Sequence, residues 1–572
     1  MPYNAFQTTL VGTVIRLVSG NRLLKYQDEI ECPERYTKEE IARRQKESPT
    51  QSRRVSRYET PASNDDVTIV EETNPPRRSD SDETIIEGNP DHIKDLQKGR
   101  GKEAVGEHNN SSNTGMANNE QQAEEGMKED PNLVTWYGDD DPENPYNWST
   151  RYETFVALQI SFLTFAVYIG SSIYSAVGLT AFVIGYGIGP MLWSPIAELS
   201  NVGRMPVYVA TLFIFVALQF PTIYANNIHT LLAMRFFAGF FGSPALAVGG
   251  ATMGDMFKPK HLAYAIGVWG CGAVCGPVIG PLLGGFTYQA KGWTWPLWVL
   301  VWLSGGCFLL ICIFFPETSG KNILHRRMLR LRRITGNNDL KTQAMIYSSH
   351  LSGGRVVYEA LIKPFVLFFD PILLVYNTYL ALIYGLLYIW FESFPSVYMG
   401  VHGFNPGESG TAFLGIFVGA WAACAVFCYY IHVYLEPIFD ANNGLIPCPE
   451  IRLYPAPIAA VCIPIAMFGF GWSGSDGQVN TSAFILFQCI FAYFGDVFYE
   501  EISSVFTLND LFRSSWGAAF PLFANALFKH LGIGGGNSLL GGLACLFVPA
   551  PFLFIKYGHK IREKSRYASN KS

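Results

Sequence analysis

Residues 262–286 read LAYAIGVWGCGAVCGPVIGPLLGGF, with no charged side chain in the stretch. Roughly 20 apolar residues cross the hydrocarbon core as a helix, so this run is long enough to span a membrane. In lipid, every backbone polar group must be satisfied within a helix or a closed barrel. The run is continuous rather than alternating, which selects a helix. Working outward, similar runs recur at 154–175, 177–197, 206–225, 229–251 and 293–315. After a polar stretch they return at 366–391, 411–434, 455–473, 481–498, 502–528 and 538–557. The pattern predicts an all-α membrane protein built as six spans, a break and six more.

Charge confirms the division. Residues 1–152 hold 19 basic and 29 acidic side chains, whereas residues 153–572 hold 23 and 18. The second part is too poor in charge to cover a water-exposed surface, which excludes a soluble enzyme and a secreted disulfide scaffold. Most of the eleven cysteines lie inside apolar runs, with no CxxC pair and no clustered His, so neither zinc nor structural disulfides are expected. The order of segments follows. Residues 1–30 form an amphipathic N-terminal segment and 31–152 a disordered cytosolic tail. The N-terminal six-helix bundle covers 153–315, a basic cytosolic linker 316–364, the C-terminal six-helix bundle 365–557, and a cytosolic C-terminal tail 558–572.

The first segment has no signal-peptide pattern. Phe6, Leu10, Val11, Val14, Ile15 and Val18 recur at helical spacing near Arg16, Arg22 and Lys25. That suits a helix lying on an anionic membrane or one docking onto the protein itself. The tail after it is rich in Glu, Ser, Asn and Asp and poor in aromatics. It carries Arg53-Arg54-Val55-Ser56 and Arg77-Arg78-Ser79-Asp80-Ser81, candidate phosphorylation sites for a basic-directed kinase. Nine basic residues gather in the linker, among them Lys321, Arg326, Arg327, Arg330, Arg332 and Arg333. The loops on the other side hold only Lys291 and Lys529. The positive-inside rule then puts both termini in the cytosol.

Seven motifs in order resemble the major facilitator superfamily, and within it the fungal drug:proton antiporters with twelve spans linked to fluconazole, benomyl and cycloheximide resistance. They are WYGDDDPENPYNWS (136–149), GYGIGPMLWSPIAEL (185–199), RFFAGFFGSPALAVGG (235–250), GCGAVCGPVIGPLLGG (270–285), FFPETSGKNILHRRMLRLRRITGN (314–337), FESFPSVYMGVHGF (391–404) and NDLFRSSWGAAFPLF (509–523). The resemblance covers residues 133–568. It implies the major facilitator fold and alternating access between two six-helix bundles, driven by the proton gradient. No Walker lysine motif or metal cluster occurs, and neither an enzyme activity nor a cofactor is expected.

The same resemblance marks candidate sites. Gly189, Glu198, Gly203 and Arg204 form a gating motif between the second and third spans, in which Glu198 and Arg204 can make a charge relay. Arg235 sits within the fourth span, where an unpaired charge is costly, so it should face a cavity or a partner; the resemblance ties it to proton coupling. Glu392, Asp370, Asp496 and Asp510 are candidates for the carboxylate that carries the proton. Gly272, Gly276, Pro277, Gly280, Pro281, Gly284 and Gly285 make the antiporter motif. Its glycines give a smooth packing face, and its prolines bend the helix. Tyr376, Tyr384, Tyr388 and Trp421 are candidates for lining the substrate cavity, where rings can stack or hold cations.

The partners implied are the lipid bilayer, protons and small amphipathic organic substrates, with no nucleic acid, for a monomer in the plasma membrane rather than the vacuolar one. The alternatives are an exporter of one metabolite or polyamine, a non-transporting sensor, and a decayed paralogue. The last arises because residues 154–197 leave almost nothing between two spans. The sequence therefore predicts that spans 1–2 are abnormally short.

Overall fold

The computed structural model describes residues 3–30, 34–47, 130–172, 176–349, 362–400, 402–442, 448–473, 481–498 and 502–565. Among them, ten helical stretches are long and apolar enough to cross a membrane. The first six are Thr150–Ile169, Ala176–Glu198, Arg204–Ile223, Ile228–Met256, Pro259–Lys291 and Trp295–Phe314. The seventh to ninth are Pro371–Tyr398, Pro406–Ala441 and Pro449–Trp472. Thr481–Val497 supplies a tenth passage of 17 residues. The remaining stretch, Ser503–Glu563, breaks at Gly532, whose φ of 69° and ψ of 171° no α-helix holds. Beyond Gly532 the chain runs back. A Cβ on Gly536 would touch Phe528, and Gly541 faces Met467 of the ninth span. Residues 502–531 and 533–564 are thus the eleventh and twelfth passages.

The first hairpin corrects one expectation. Its helices hold 20 and 23 residues. At 1.5 Å per residue, each is about 30 Å long or more, enough for the hydrocarbon core. Neither span is abnormally short. The economy falls on the connection, where Gly170 and Ser171 donate backbone N–H bonds to Val167 and Tyr168 at 3.1 and 3.0 Å.

The seventh span sits deepest, with 78% of its apolar window buried against 39% for the sixth. Where the halves meet, the second span lies along the eleventh and the fifth along the eighth. Ser194 and Ser503 hydroxyls bond at 2.7 Å, and Thr180 Oγ1 donates to Ala518 O at 3.0 Å. Lys260 pairs with Asp440 at 2.6 Å. A Cβ on Gly285 would sit 2.3 Å from Pro406 O, and one on Gly410 would sit 2.7 Å from Pro281 O. Absent side chains are what let these helices close.

The linker helix Gly320–Thr335 ends on Gly336 in the left-handed region (φ 67°). It gathers both flanking segments. Arg327 grips Asp141 through bonds of 2.6 and 3.0 Å. Arg330 reaches Asp28 and Glu143, each at 2.9 Å, and lies 3.6 Å over the Tyr26 ring. Glu317 N donates to Thr8 Oγ1 at 3.0 Å. The N-terminal helix Leu10–Val18 therefore docks on the protein, while Val14, Leu17 and Val18 stay exposed. Expected disorder over 31–152 is corrected at its ends, because Lys38–Glu47 is helical and residues 134–149 fold against the linker. The candidate phosphorylation sites at 53–56 and 77–81 lie outside the described residues.

Candidate functional site

At the interface of the halves, three elements converge on one polar cluster. The eleventh span has Asp510 and Arg513 at i,i+3, which places them on one face, where they form an ion pair. Both are buried, at 2% and 4% exposure. From the first span Tyr168 offers its hydroxyl to Arg513 Nη2 at 3.5 Å. From the seventh, Tyr384 presents its ring face 4.5 Å from the guanidinium. The Tyr384 and Tyr388 hydroxyls lie 3.0 Å apart, and Tyr388 reaches Ser171 Oγ at 3.5 Å. Tyr186 of the second span packs edge-on against Tyr168, with ring centroids 4.9 Å apart. Four tyrosines, an acid and a base thus line a mainly apolar interface. The chemistry on offer is stacking plus one exchangeable ion pair.

Arg235 is fully buried and donates from Nη1 to Gly170 O at 3.1 Å. That carbonyl precedes Ser171, so the tight turn links Arg235 to the tyrosine cluster. The other proton-coupling candidates lie elsewhere. Glu392 is half-buried, near Asn525 Nδ2 at 3.5 Å. Asp370 caps the seventh span, accepting from Ile372 N at 3.0 Å and from Ser565 Oγ at 2.5 Å. Asp496 is paired with Arg452.

The gate differs from expectation. Arg204 pairs with Asp255 at the end of the fourth span, not with Glu198. Gly203 takes φ 84°, which turns the Arg204 and Met205 amides onto Glu317 at 2.9 and 3.2 Å. The turn at Gly203 thus brings Arg204 together with Asp255 and Glu317, while Glu198 stays near enough to act on Arg204 and Asp255 through its charge without bonding to Arg204. Gly189 lies against the fourth span, where a Cβ would come 2.5 Å from Phe240 O.

The antiporter motif divides by face. Cβ atoms on Gly272, Gly276 and Gly280 would strike Ser161 O, Tyr168 Cβ and Ser172 Oγ at 2.5, 2.7 and 2.0 Å. Pro277 and Pro281 lie within the same unbroken helix. Gly285 instead faces the eighth span, and Gly284 faces open space. Of the predicted cavity residues, Tyr384 and Tyr388 join the cluster. Tyr376 packs on Phe554 at 4.3 Å within the C-terminal half, and Trp421 is 49% exposed. Arg513, Tyr168 and Tyr186 were not singled out from the sequence. A lone basic residue inside an apolar run, one helical turn from an acid, was the signal for Arg513.

A family profile described as Major Facilitator Superfamily matches residues 153–521. The chain belongs to the Major Facilitator Superfamily. Transporter mfs1 of Schizosaccharomyces pombe is 39% identical over 76% of this chain and 88% of its own length. The cycloheximide resistance protein of Candida maltosa is 38% identical over 76% and 86%. Fluconazole resistance protein 1 of Saccharomyces cerevisiae is 34% identical over 77% and 86%. Among solved structures, the human organic anion transporter MFSD10 (TETRAN) is a distant likeness, with a TM-score of 0.47 and 17% identity over 72% of this chain and 99% of that one. As a superfamily member with many apolar helices, the protein is a multi-pass membrane transporter.

Proposed function

We propose that the protein exports small amphipathic toxicants, coupled to proton entry, by alternating access between its two halves. The observation that carries this is the Asp510–Arg513 pair ringed by Tyr168, Tyr186, Tyr384 and Tyr388 where the halves meet. A charged pair inside a membrane protein is costly to keep and typical of a proton or substrate pathway. Relatives named for drug, cycloheximide and fluconazole resistance support the substrate class. Two full-length helices in the first hairpin favour a working transporter over a decayed one. The basic linker and C-terminus favour cytosolic termini, and the relatives favour the plasma membrane. The protein works as a monomer.

The test is efflux of cycloheximide and fluconazole from a pump-deleted yeast expressing the chain. Efflux should stop on adding a proton uncoupler and should fall at least about tenfold in Arg235→Ala, since removing Arg235 also removes its tie to the first hairpin. Efflux that persists with the uncoupler would refute the coupling.

A further inference from the structure

The N-terminal segment docks by one side only. Gly12 and Arg16 of the helix Leu10–Val18 are buried, and the helix packs on the sixth span. Val14, Leu17 and Val18 stand at i, i+3 and i+4, which puts them on one face, and the last two are 70% and 83% exposed. Apolar side chains grouped on one face, rather than scattered singly, mark an interaction surface.

The turn after the helix extends that surface. Asn21 and Leu24 hold φ of 64° and 53° without being glycine, a strain that persists only where the surroundings over-determine it. Arg16 supplies the constraint. Its guanidinium donates to Leu24 O, pairs with Glu29 at 2.8 Å and lies 4.5 Å over the Tyr26 ring. Asn21 N donates to Arg16 O at 2.7 Å, and Leu23 N donates to Ser19 Oγ at 3.2 Å. The turn so held leaves Leu23 exposed between exposed Arg22 and Lys25. Charge is sorted by side. The acids turn inward, Glu29 to Arg16 and Asp28 to Arg330, while Arg22 and Lys25 form no ion pair among the described residues.

The neighbouring surface decides what covers this face. The sixth span is the least buried of the first six, and Ile313 and Phe314 at its linker end are exposed. Phe314 meets Phe155 of the first span with ring centroids 6.1 Å apart, and Phe155 is exposed as well. In a chain that spans a bilayer, exposed rings at a span end face lipid. We propose that the N-terminal segment is a foot on the bilayer at the linker end of the sixth span, and that its occupant is anionic phospholipid. Val14, Leu17, Val18 and Leu23 sink to the boundary between acyl chains and headgroups, and Arg22 and Lys25 meet the negative headgroups. The inner side stays tied to the protein, because Thr8 accepts from Glu317 N and Asp28 pairs with Arg330. Lipid and linker thus hold one segment from opposite sides. The site requires only the spanning helices and is independent of what the protein carries.

The experiment is hydrogen exchange of the full chain in lipid nanodiscs at neutral pH, read over residues 17–25. One set of discs holds phosphatidylcholine alone, and the other adds phosphatidylserine at about 30%, enough to make the surface anionic. Exchange should be at least about tenfold slower in the anionic discs, since each of two basic side chains gains about fivefold there. Sodium chloride at about 0.5 M should erase the difference, because it screens exposed charges. The Arg22→Gln, Lys25→Gln double variant should exchange in anionic discs as the wild type does in neutral ones. The Leu17→Ser, Val18→Ser double variant should exchange at least about tenfold faster than wild type in both lipids, having lost the apolar contact common to them. Both variants change exposed positions, so residues 136–148 should keep their protection in each. The wild-type comparison needs no variant and decides by itself. Equal exchange in the two lipids, or a Leu17→Ser, Val18→Ser protein that exchanges like wild type, would overturn the assignment. Protection that appears only in discs carrying two copies would overturn it too, by giving the face to a second chain.

Discussion

At the residue scale, the Arg204 pairing makes two neighbouring acids behave differently. Arg204 is nearly buried, and Asp255 is its partner, while Glu198 is half-buried and is not bonded to it. Breaking a buried pair leaves its charge stranded and costs about 3–5 kcal/mol, less here because Asp255 keeps some solvent contact. Asp255→Asn should lower the detergent melting temperature clearly, while Glu198→Gln should stay within about 0.5 kcal/mol of wild type. Equal melting of the two variants would refute the assignment. The sequence placed Arg204 at the gate, but its partner depended on the Gly203 turn. A positive φ decides which of several nearby acids the next side chain meets, and spacing does not report it. Arg235 could be singled out because charges within spans are rare. Tyr168 and Tyr186 could not, since any aromatic in a span reads equally as a lipid-facing or core ring until the partner helix is known.

At the element scale, the fifth span sorts its glycines by neighbour, and substitutions should follow the same order. A methyl at Gly272 would meet backbone, the Ser161 carbonyl at 2.5 Å, whereas one at Gly284 would meet nothing within 4 Å. Overpacking a tight contact costs about 1–3 kcal/mol. Gly272→Ala should therefore destabilise the purified protein in a thermal melt and Gly284→Ala should not, although the sequence presents both as members of one motif. A Gly272→Ala protein as stable as Gly284→Ala would show that the first and fifth spans are not in close contact. The spans themselves were legible because a continuous apolar run has few alternatives in lipid. Helix length in the first hairpin was not. Forty-four residues can be divided into two full helices and almost no turn, or into short helices and a loop, and only packing against the fourth and fifth spans chooses between them.

At the scale of the whole molecule, the charge split of the chain becomes a contact, and that contact should respond to pH. The linker helix holds the N-terminal segment and residues 134–148 through Arg327, Arg330, Asp28, Asp141 and Glu143. Burial alone would raise the Asp141 carboxyl, but the Arg327 hydrogen bonds and the Tyr137 and Glu143 amides outweigh it and hold it below the ordinary carboxylate value. Burial is likewise outweighed at Glu29, where the Arg16 hydrogen bond and the Tyr26 amide hold the carboxyl low. A depressed carboxylate contributes stability that is complete above its unfolded value, near pH 4, and is lost as pH falls through the folded value. Glu317 runs the other way, because burial raises its carboxyl despite Arg326 and the surrounding amides. Acidification should first relieve Glu317 with the segment still docked and then, below about pH 4, release Asp141 and Glu29. Hydrogen exchange over residues 10–30 and 136–148, corrected for its intrinsic pH dependence, should therefore stay protected at pH near 5 and lose protection near pH 3. Asp141→Asn should lose protection at residues 136–148 even at neutral pH, because Arg327 then loses its short ion pair and keeps only longer contacts, Glu143 and Thr135 O each at 3.4 Å and the ring faces of Trp136 and Tyr137. Protection that survives both the acid step and the substitution would mean that apolar contacts, such as buried Ala5 joining the main core, hold the segment instead.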